Sequence, residues 1–226
     1  MKIYTAGIAL AMCMASAGMA EEEGGGNTVK LPEPDKKGKV SLEETLAARR
    51  SRREYAEGPL SLKQAGQILW AAQGITGEGG RKKTAPSAGA TYPMKIYLAA
   101  GKDGVKGLDA GVYRYVPDKH EIEMVKGGDV QSRLALAALG QQFVASAPVN
   151  IVIAAEYART TRRYGERGKR YVHMEAGHIS ENIYLQAEAA GLGTVAVGAF
   201  DDEKAADLLG LPNDLAPMYI MPVGKR

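Results

Sequence analysis

The hydrophobic pattern is clearest over residues 171–200, YVHMEAGHISENIYLQAEAAGLGTVAVGAF. Apolar residues recur there at Val172, Ala176, Ile179, Ile183, Ala187 and Ala190. Spacings of three and four make one stripe of an α-helix. The stripe is mostly small, with Ala176, Gly177, Ser180 and Ala187 in or beside it. A second backbone can then come close, so the helix is expected to be buried. Gly191 follows at the position where a glycine ends a helix. The β-branched run Thr194, Val195, Ala196 and Val197 predicts a buried strand.

The rest of the chain is read around that unit. Ser41 with Glu44, and Ser61 with Gln64, have the spacing of capping boxes. The first opens a short helix to about Arg50. The second opens a helix with Leu62, Ala65, Ile68, Leu69 and Ala72 on one face, ending at Gly74. Residues 95–100 (KIYLAA) and 150–155 (NIVIAA) read as strands, the second fully buried. Residues 111–116 and 121–125 form a hairpin across 117–120. Residues 132–139 and 202–209 read as helices, and 218–223 as a last strand. This mixed order predicts an α+β fold. Trp70 is assigned to the core beneath the second helix.

Composition adds bounds. The chain has 226 residues, 45% hydrophobic and 24% charged, an ordinary globular balance. Its net charge of +3 does not by itself point to nucleic acid. Residues 1–20 have a thin positive start, an apolar stretch and a small-residue end, which predicts a signal peptide cut after Ala20. It is too short for a stable membrane span. The single cysteine, Cys13, lies inside it, so the mature chain carries no thiol. The expected location is the periplasm. Residues 21–40, rich in Glu, Gly, Pro and Lys, read as a flexible spacer. One domain over 41–226 follows.

Candidate chemistry lies in four places. Arg49, Arg50, Ser51, Arg52 and Arg53 gather guanidiniums at a helix end, a pattern suited to phosphate or simply to a solvated basic loop. Residues 86–93, PSAGATYP, place small residues between prolines, which makes a stiff loop for a flat ligand or a plain turn. Ser87 lacks the surroundings of a hydrolytic nucleophile. Residues 159–170 are strongly basic and read as a solvated, mobile loop near the mouth of a site, with an acidic partner or lipid as the alternative. His173, Glu175, His178 and Glu181 share a helix, but five residues between the histidines turn the rings apart by about 140°. No metal is expected there.

Four stretches in this order carry a resemblance: RRSRREY at 49–55, PSAGATYP at 86–93, EAGHISENIYLQAEAAGLGTVAVGAF at 175–200 and MPVG at 221–224. Together they resemble the FMN-dependent nitroreductase superfamily. The PSAGATYP form is most similar to its SagB/ThcOx-type dehydrogenase branch, whose characterised members oxidise azoline rings in peptides. The resemblance implies a central mixed or antiparallel sheet flanked by helices around a long central helix. It also implies a homodimer with two FMN sites at its interface. In that family the arginine–serine motif holds the FMN phosphate and ribityl chain, which maps to Arg49, Arg50, Ser51 and Arg53. The loop that covers the flavin from the partner subunit maps to Pro86, Ser87, Ala88, Gly89 and Ala90. The backbone near flavin N5 maps to Val197, Gly198 and Ala199. The later basic residue of the nitroreductase branch proper has Lys225 and Arg226 as its counterparts, and an Asn of that branch is replaced by Ala90.

The implied reaction is hydride transfer through flavin N5 in a ping-pong cycle, with a small molecule or peptide-derived compound as substrate and a separate electron acceptor. No side chain is assigned as catalytic. Tyr92 and Tyr164 are possible proton donors, though packing is the simpler role for each. An NAD(P)H-dependent nitro or quinone reductase, a flavin-binding protein without turnover, and a basic binding module are the alternatives. Export would separate the protein from free NAD(P)H, which favours a dehydrogenase or oxidase.

Overall fold

The computed structural model describes residues 28–77, 79 and 82–226, together with Met1. The expected signal peptide therefore lies outside the described residues except for Met1. None of the described helices is long and apolar enough to cross a membrane.

The fold grows outward from β5 (Val149–Ala155), which is buried along its whole length. Alternate side chains of a strand point to opposite faces. Val149, Ile151, Ile153 and Ala155 accordingly enter one apolar cluster, while Val152 and Ala154 enter a second. β2 (Met94–Ala100) divides the same way, with Met94, Ile96, Leu98 and Ala100 on the first side and Tyr97 and Ala99 on the other. The remaining strands are β1 (Thr28–Lys30), β3 (Gly111–Val116), β4 (Glu121–Gly127), β6 (Leu192–Thr194) and β7 (Ala216–Lys225). They form one sheet in the order β1-β4-β3-β2-β5-β7-β6. Every pairing between these strands is antiparallel.

Helices cover both faces. α2 (Leu62–Gln73) and α6 (Arg167–Ala189) bury their apolar sides in the first cluster. α1 (Leu42–Ala48) and α5 (Tyr157–Tyr164) pack on α6. α3 (Gln131–Ala137), α4 (Gln142–Ser146) and α7 (Asp202–Leu209) close the second cluster. Both capping boxes form, with Ser41 and Ser61 accepting from the N–H of Glu44 and Gln64. The predicted stripe of α6 holds: Val172, Ala176, Ile179, Ile183 and Ala187 are at most 1% exposed. Gly191 follows the C-cap Ala190 with φ 70°, a left-handed conformation that favours glycine.

Four expectations change. The strand after α6 is Leu192–Thr194, not 194–197. The Ala196 N–H donates to the Tyr184 hydroxyl at 2.7 Å, and beyond Thr194 the chain touches the sheet at Val197, opposite Ile220. The span 21–40 is not all spacer, because Thr28–Lys30 pairs with β4 and Leu31 is 2% exposed in the core. His120 anchors that segment: its carbonyl accepts from the Leu31 N–H, and its ring bonds the Pro32 carbonyl. The basic stretch 159–170 is helical rather than a loop, split by Gly165 at φ 57°. Thr160 fixes it, buried and hydrogen-bonded to Thr91 at 2.8 Å. Trp70 is half-buried, not a core residue, and its indole N–H points to the Ile75 carbonyl.

One buried polar network sets α3 and α4 on the sheet. Asn150 of β5 donates to Gln131 Oε1 at 2.7 Å and to the Val144 carbonyl at 3.0 Å. Gln131 Nε2 donates in turn to the carbonyls of Ala99, Ala147 and Pro148. Removing a partner inside such a network strands buried acceptors. Asn150→Ala is expected to destabilise the fold by about 2–3 kcal/mol, read as a lower urea midpoint at unchanged slope.

Candidate active site

The arginine-rich segment begins where α1 ends, at its C-cap Arg49. It then runs beside the end of β6, with the Arg52 N–H donating to the Thr194 carbonyl at 2.9 Å. Tyr184 of α6 ties this segment down. Its hydroxyl lies 3.1 Å from Ser51 Oγ and accepts the Ala196 N–H. The Arg49 guanidinium stands over its ring, 5.3 Å from the centroid. One turn further on, the buried Glu188 receives two guanidiniums, Arg52 at 3.1 Å and Arg226 at 2.6 Å. Arg226 also donates to the Glu188 backbone carbonyl.

One carboxylate cannot neutralise two guanidiniums, so positive charge is left over. Arg50, Ser51, Arg52, Arg53, Tyr55 and Arg226 line an open cleft of about 680 Å³ there. Glu54 is the one acidic residue in its lining. Within it, the Arg52 Nε–H is buried with no partner among the described residues. A surplus of guanidinium donors, one of them unpaired, fits a phosphate. Gly224 of the MPVG stretch is required here, since a Cβ would lie 2.7 Å from the Tyr55 ring. Arg49 flanks the cleft rather than lining it. Lys225 does not line it either, and its ammonium lies by Gly58 instead.

The segment Val197, Gly198 and Ala199 follows Ala196 directly. The Val197 N–H is committed to the Ile220 carbonyl at 2.9 Å. Those of Gly198 and Ala199 have no acceptor among the described residues. Both residues are exposed, and the Ala199 carbonyl is held by Gln141 at 2.9 Å. Donors free to meet a ligand are therefore Gly198 and Ala199.

The loop of Pro86, Ser87, Ala88, Gly89 and Ala90 sits at the other end of α6. Gly89 and Ala90 have φ of 57° and 53°, and Tyr92 has 45°. Left-handed backbone at two non-glycine residues is strained and needs holding in place. Ser87 Oγ accepts the Tyr92 N–H at 2.9 Å and hydrogen-bonds the Glu175 carboxyl. Arg159 and Arg163 donate to the carbonyls of Thr91 and Gly89. A Cβ on Gly89 would strike the Tyr164 hydroxyl at 2.4 Å. Ser87 is thus a loop anchor. Tyr164 packs edge-on against Tyr171 and touches the loop. Glu175 is 2% exposed, and burial raises its carboxyl pKa to about 7, against the lowering pull of Ser87 and Lys83.

Glu175 and Tyr184 are nine residues apart, which at 1.5 Å per residue is about 13 Å along α6. Within one chain, then, the loop and the basic cleft are not brought together. Of the helix carboxylates and imidazoles weighed for a metal, His173 bonds Tyr157 at 2.7 Å. Among the described residues no three such groups are placed to share an ion. Sequence reasoning missed Tyr184 and Glu188 as site residues and weighed Glu175 only as a metal ligand. The available signal was polar side chains flanking the small stripe of a buried helix.

The nitroreductase family model matches residues 46–225, nearly all of the chain from α1 onward. The chain belongs to the nitroreductase family. A Methanocaldococcus jannaschii protein named as a nitroreductase is 49% identical over 89% of this chain and 98% of its own. The microcin B17-processing protein McbC of Escherichia coli is 25% identical over 73% of this chain and 62% of its own, so this chain spans under two thirds of McbC. The crystal structure of a Ralstonia eutropha protein named as a nitroreductase is 33% identical. It superposes with a TM-score of 0.76 over 88% of this chain and 89% of its own. The family is one of oxidoreductases, and its branch related to McbC is the one that PSAGATYP resembles.

Two outcomes follow for this nitroreductase-family site. Glu175 has a folded pKa above that of an unfolded carboxyl, so its stabilising contribution is present below about pH 4.5 and is lost as pH rises through about 7. Glu175→Gln removes that loss. Between pH 5 and 8 the melting temperature of wild type should fall relative to the variant, by about 5 °C at the upper end. Tyr184→Phe keeps the ring beneath Arg49 but strands Ser51 and the Ala196 N–H. It should lower stability by about 1–2 kcal/mol in denaturant unfolding.

Proposed function

We propose that this protein is an FMN-dependent oxidoreductase of the SagB/ThcOx dehydrogenase type, acting on a small molecule or peptide-derived substrate. The observation that carries the reading is the physical link through Tyr184 between a basic cleft and a turn with free backbone donors. The cleft suits a phosphate and the turn suits the edge of a ring that gains negative charge on reduction. FMN, when bound, supplies hydride transfer at N5, so a donor and an acceptor react in turn in a ping-pong cycle.

The chain's own residues bind and orient. Arg50, Ser51, Arg53 and Arg226 hold the phosphate end. Tyr184 keeps Ser51 and the 196–199 turn in fixed relation. Gly198 and Ala199 offer N–H groups where only backbone is needed, and their small side chains leave a ring face open. In a homodimer, Pro86, Ser87, Ala88, Gly89 and Ala90 would serve the partner's cofactor, which agrees with their distance from the chain's own cleft. If the protein is exported to the periplasm, the substrate itself donates the electrons and a quinone, oxygen or a redox protein accepts them.

The name of the 49% identical relative favours a second reading, an NAD(P)H-dependent nitro or quinone reductase. It uses the same cofactor residues and differs in the electron donor.

The test is the visible spectrum of the purified protein after incubation with FMN and gel filtration. Retained bands at about 370 and about 450 nm, as for a bound flavin, are expected, and Arg53→Ala combined with Arg226→Ala should lose them. A colourless eluate would overturn the proposal. Rapid bleaching of the bands by NADPH would move the conclusion to the second reading.

A further inference from the structure

A second cavity, of about 340 Å³, shares no lining residue with the basic cleft. It lies where the end of α2, the start of β2, the end of β3 and α5 meet. Gln73, Lys83, Lys95, Arg114, Arg159 and Asp118 supply its polar and charged wall. Four cations thus face one carboxylate.

Two of the cations are already engaged. Arg114 pairs with Glu123 on the neighbouring strand. Arg159 donates to the Thr91 carbonyl at 3.0 Å and lies 3.8 Å from Glu156. Lys83 and Lys95 have no carboxylate within ion-pair distance among the described residues. Burial holds the Lys83 ammonium below its usual pKa, and Lys95 and Arg159 push it the same way, against Asp118 and Glu175. A nearby anion would relieve both costs.

The independent sign is Gln73. It is 2% exposed, lines the cavity, and its Nε2 has no acceptor among the described residues. An unpaired buried amide costs on the order of 1–3 kcal/mol. This wall offers more donors, from ammonium, guanidinium and amide groups, than its one carboxylate, Asp118, can accept. Water brings two lone pairs, whereas an oxyanion brings several on one small body along with the missing charge. We infer that this cavity binds a small oxyanion carrying two negative charges, either a dicarboxylate or a phosphate. The cavity adjoins the Pro86–Ala90 loop through Tyr92, whose ring lies 5.1 Å from the Lys83 ammonium. The inference stands independently of the flavin reading.

The test is calorimetric titration of the full chain at about 10 mM ionic strength, where screening is weak, with succinate and, separately, with inorganic phosphate. One site per chain is expected for at least one of them. Lys83→Met combined with Lys95→Met should weaken it about tenfold or more. Lys63→Met, whose ammonium pairs with Asp35 elsewhere, should leave it unchanged. Phosphate can also enter the basic cleft, so that arm is read as the difference between wild type and the double variant. Succinate binding assigns the site to dicarboxylates, and a lysine-dependent phosphate signal alone assigns it to phosphate. If the double variant does not fold, Lys95→Met, at a half-exposed position, gives the same comparison with an expected loss of about fivefold. No binding of either anion to wild type, or binding that survives the lysine substitutions, would overturn the inference.

Discussion

Everything at the basic cleft depends on one phenol. Tyr184 is 9% exposed and sits on a helix otherwise chosen for small apolar contacts. Its hydroxyl takes the Ala196 N–H and meets Ser51 Oγ, so a helix, a strand exit and an irregular loop share one oxygen. The backbone joins the loop to the strand end through the Arg52 N–H and the Thr194 carbonyl, and the phenol adds the helix and the turn. The Ala196 N–H has left the sheet, and Ser51 lies beyond the end of α1. A buried donor without a partner is costly, so the hydroxyl selects the turn geometry as well as fastening it. Glu188, one turn further along, does the same by charge. It draws Arg52 and Arg226 to one carboxylate, while Arg50 and Arg53 beside them pair with no carboxylate among the described residues.

The elements that were legible in the sequence are those whose signal is local. The stripe of α6, both capping boxes, β2, β5, the hairpin and α7 each carry their period or cap within a few residues. The departures arise where a distant partner decides. Residues 194–197 have the composition of a strand, yet Tyr184 and Ile220 claim alternate parts of them. Thr28–Lys30 looks like spacer until β4 offers it an edge. The basic run 159–170 is helical because Thr160 and the loop at 88–91 hold it. The four stretches that carry the family resemblance mark the site well, since each needs particular residue types. What they could not show is which members of each stretch are occupied inside the chain. Val197 is spent on Ile220, Lys225 points to Gly58, and Arg226 reaches the cleft only through Glu188.

The charges on α6 show how little the helix depends on its own electrostatics. Its first turn carries Arg167, Lys169 and Arg170 and no acidic residue, the wrong sign for the positive end of a helix. Glu166 offsets Lys169 at 2.8 Å, and Arg167 stands over Tyr171. The far end is complementary, with Arg226 donating to the Glu188 carbonyl and Arg52 pairing with the Glu188 carboxylate. A mismatch at one end costs a few tenths of a kcal/mol per charge at an exposed site. Five nearly inaccessible apolar side chains along the same helix outweigh that many times over. Charge on this helix is therefore free to serve the surfaces it faces. At its C-terminal end that surface is the cleft, and near its N-terminal end α5 packs on it and holds the strained loop by its carbonyls through Arg159 and Arg163.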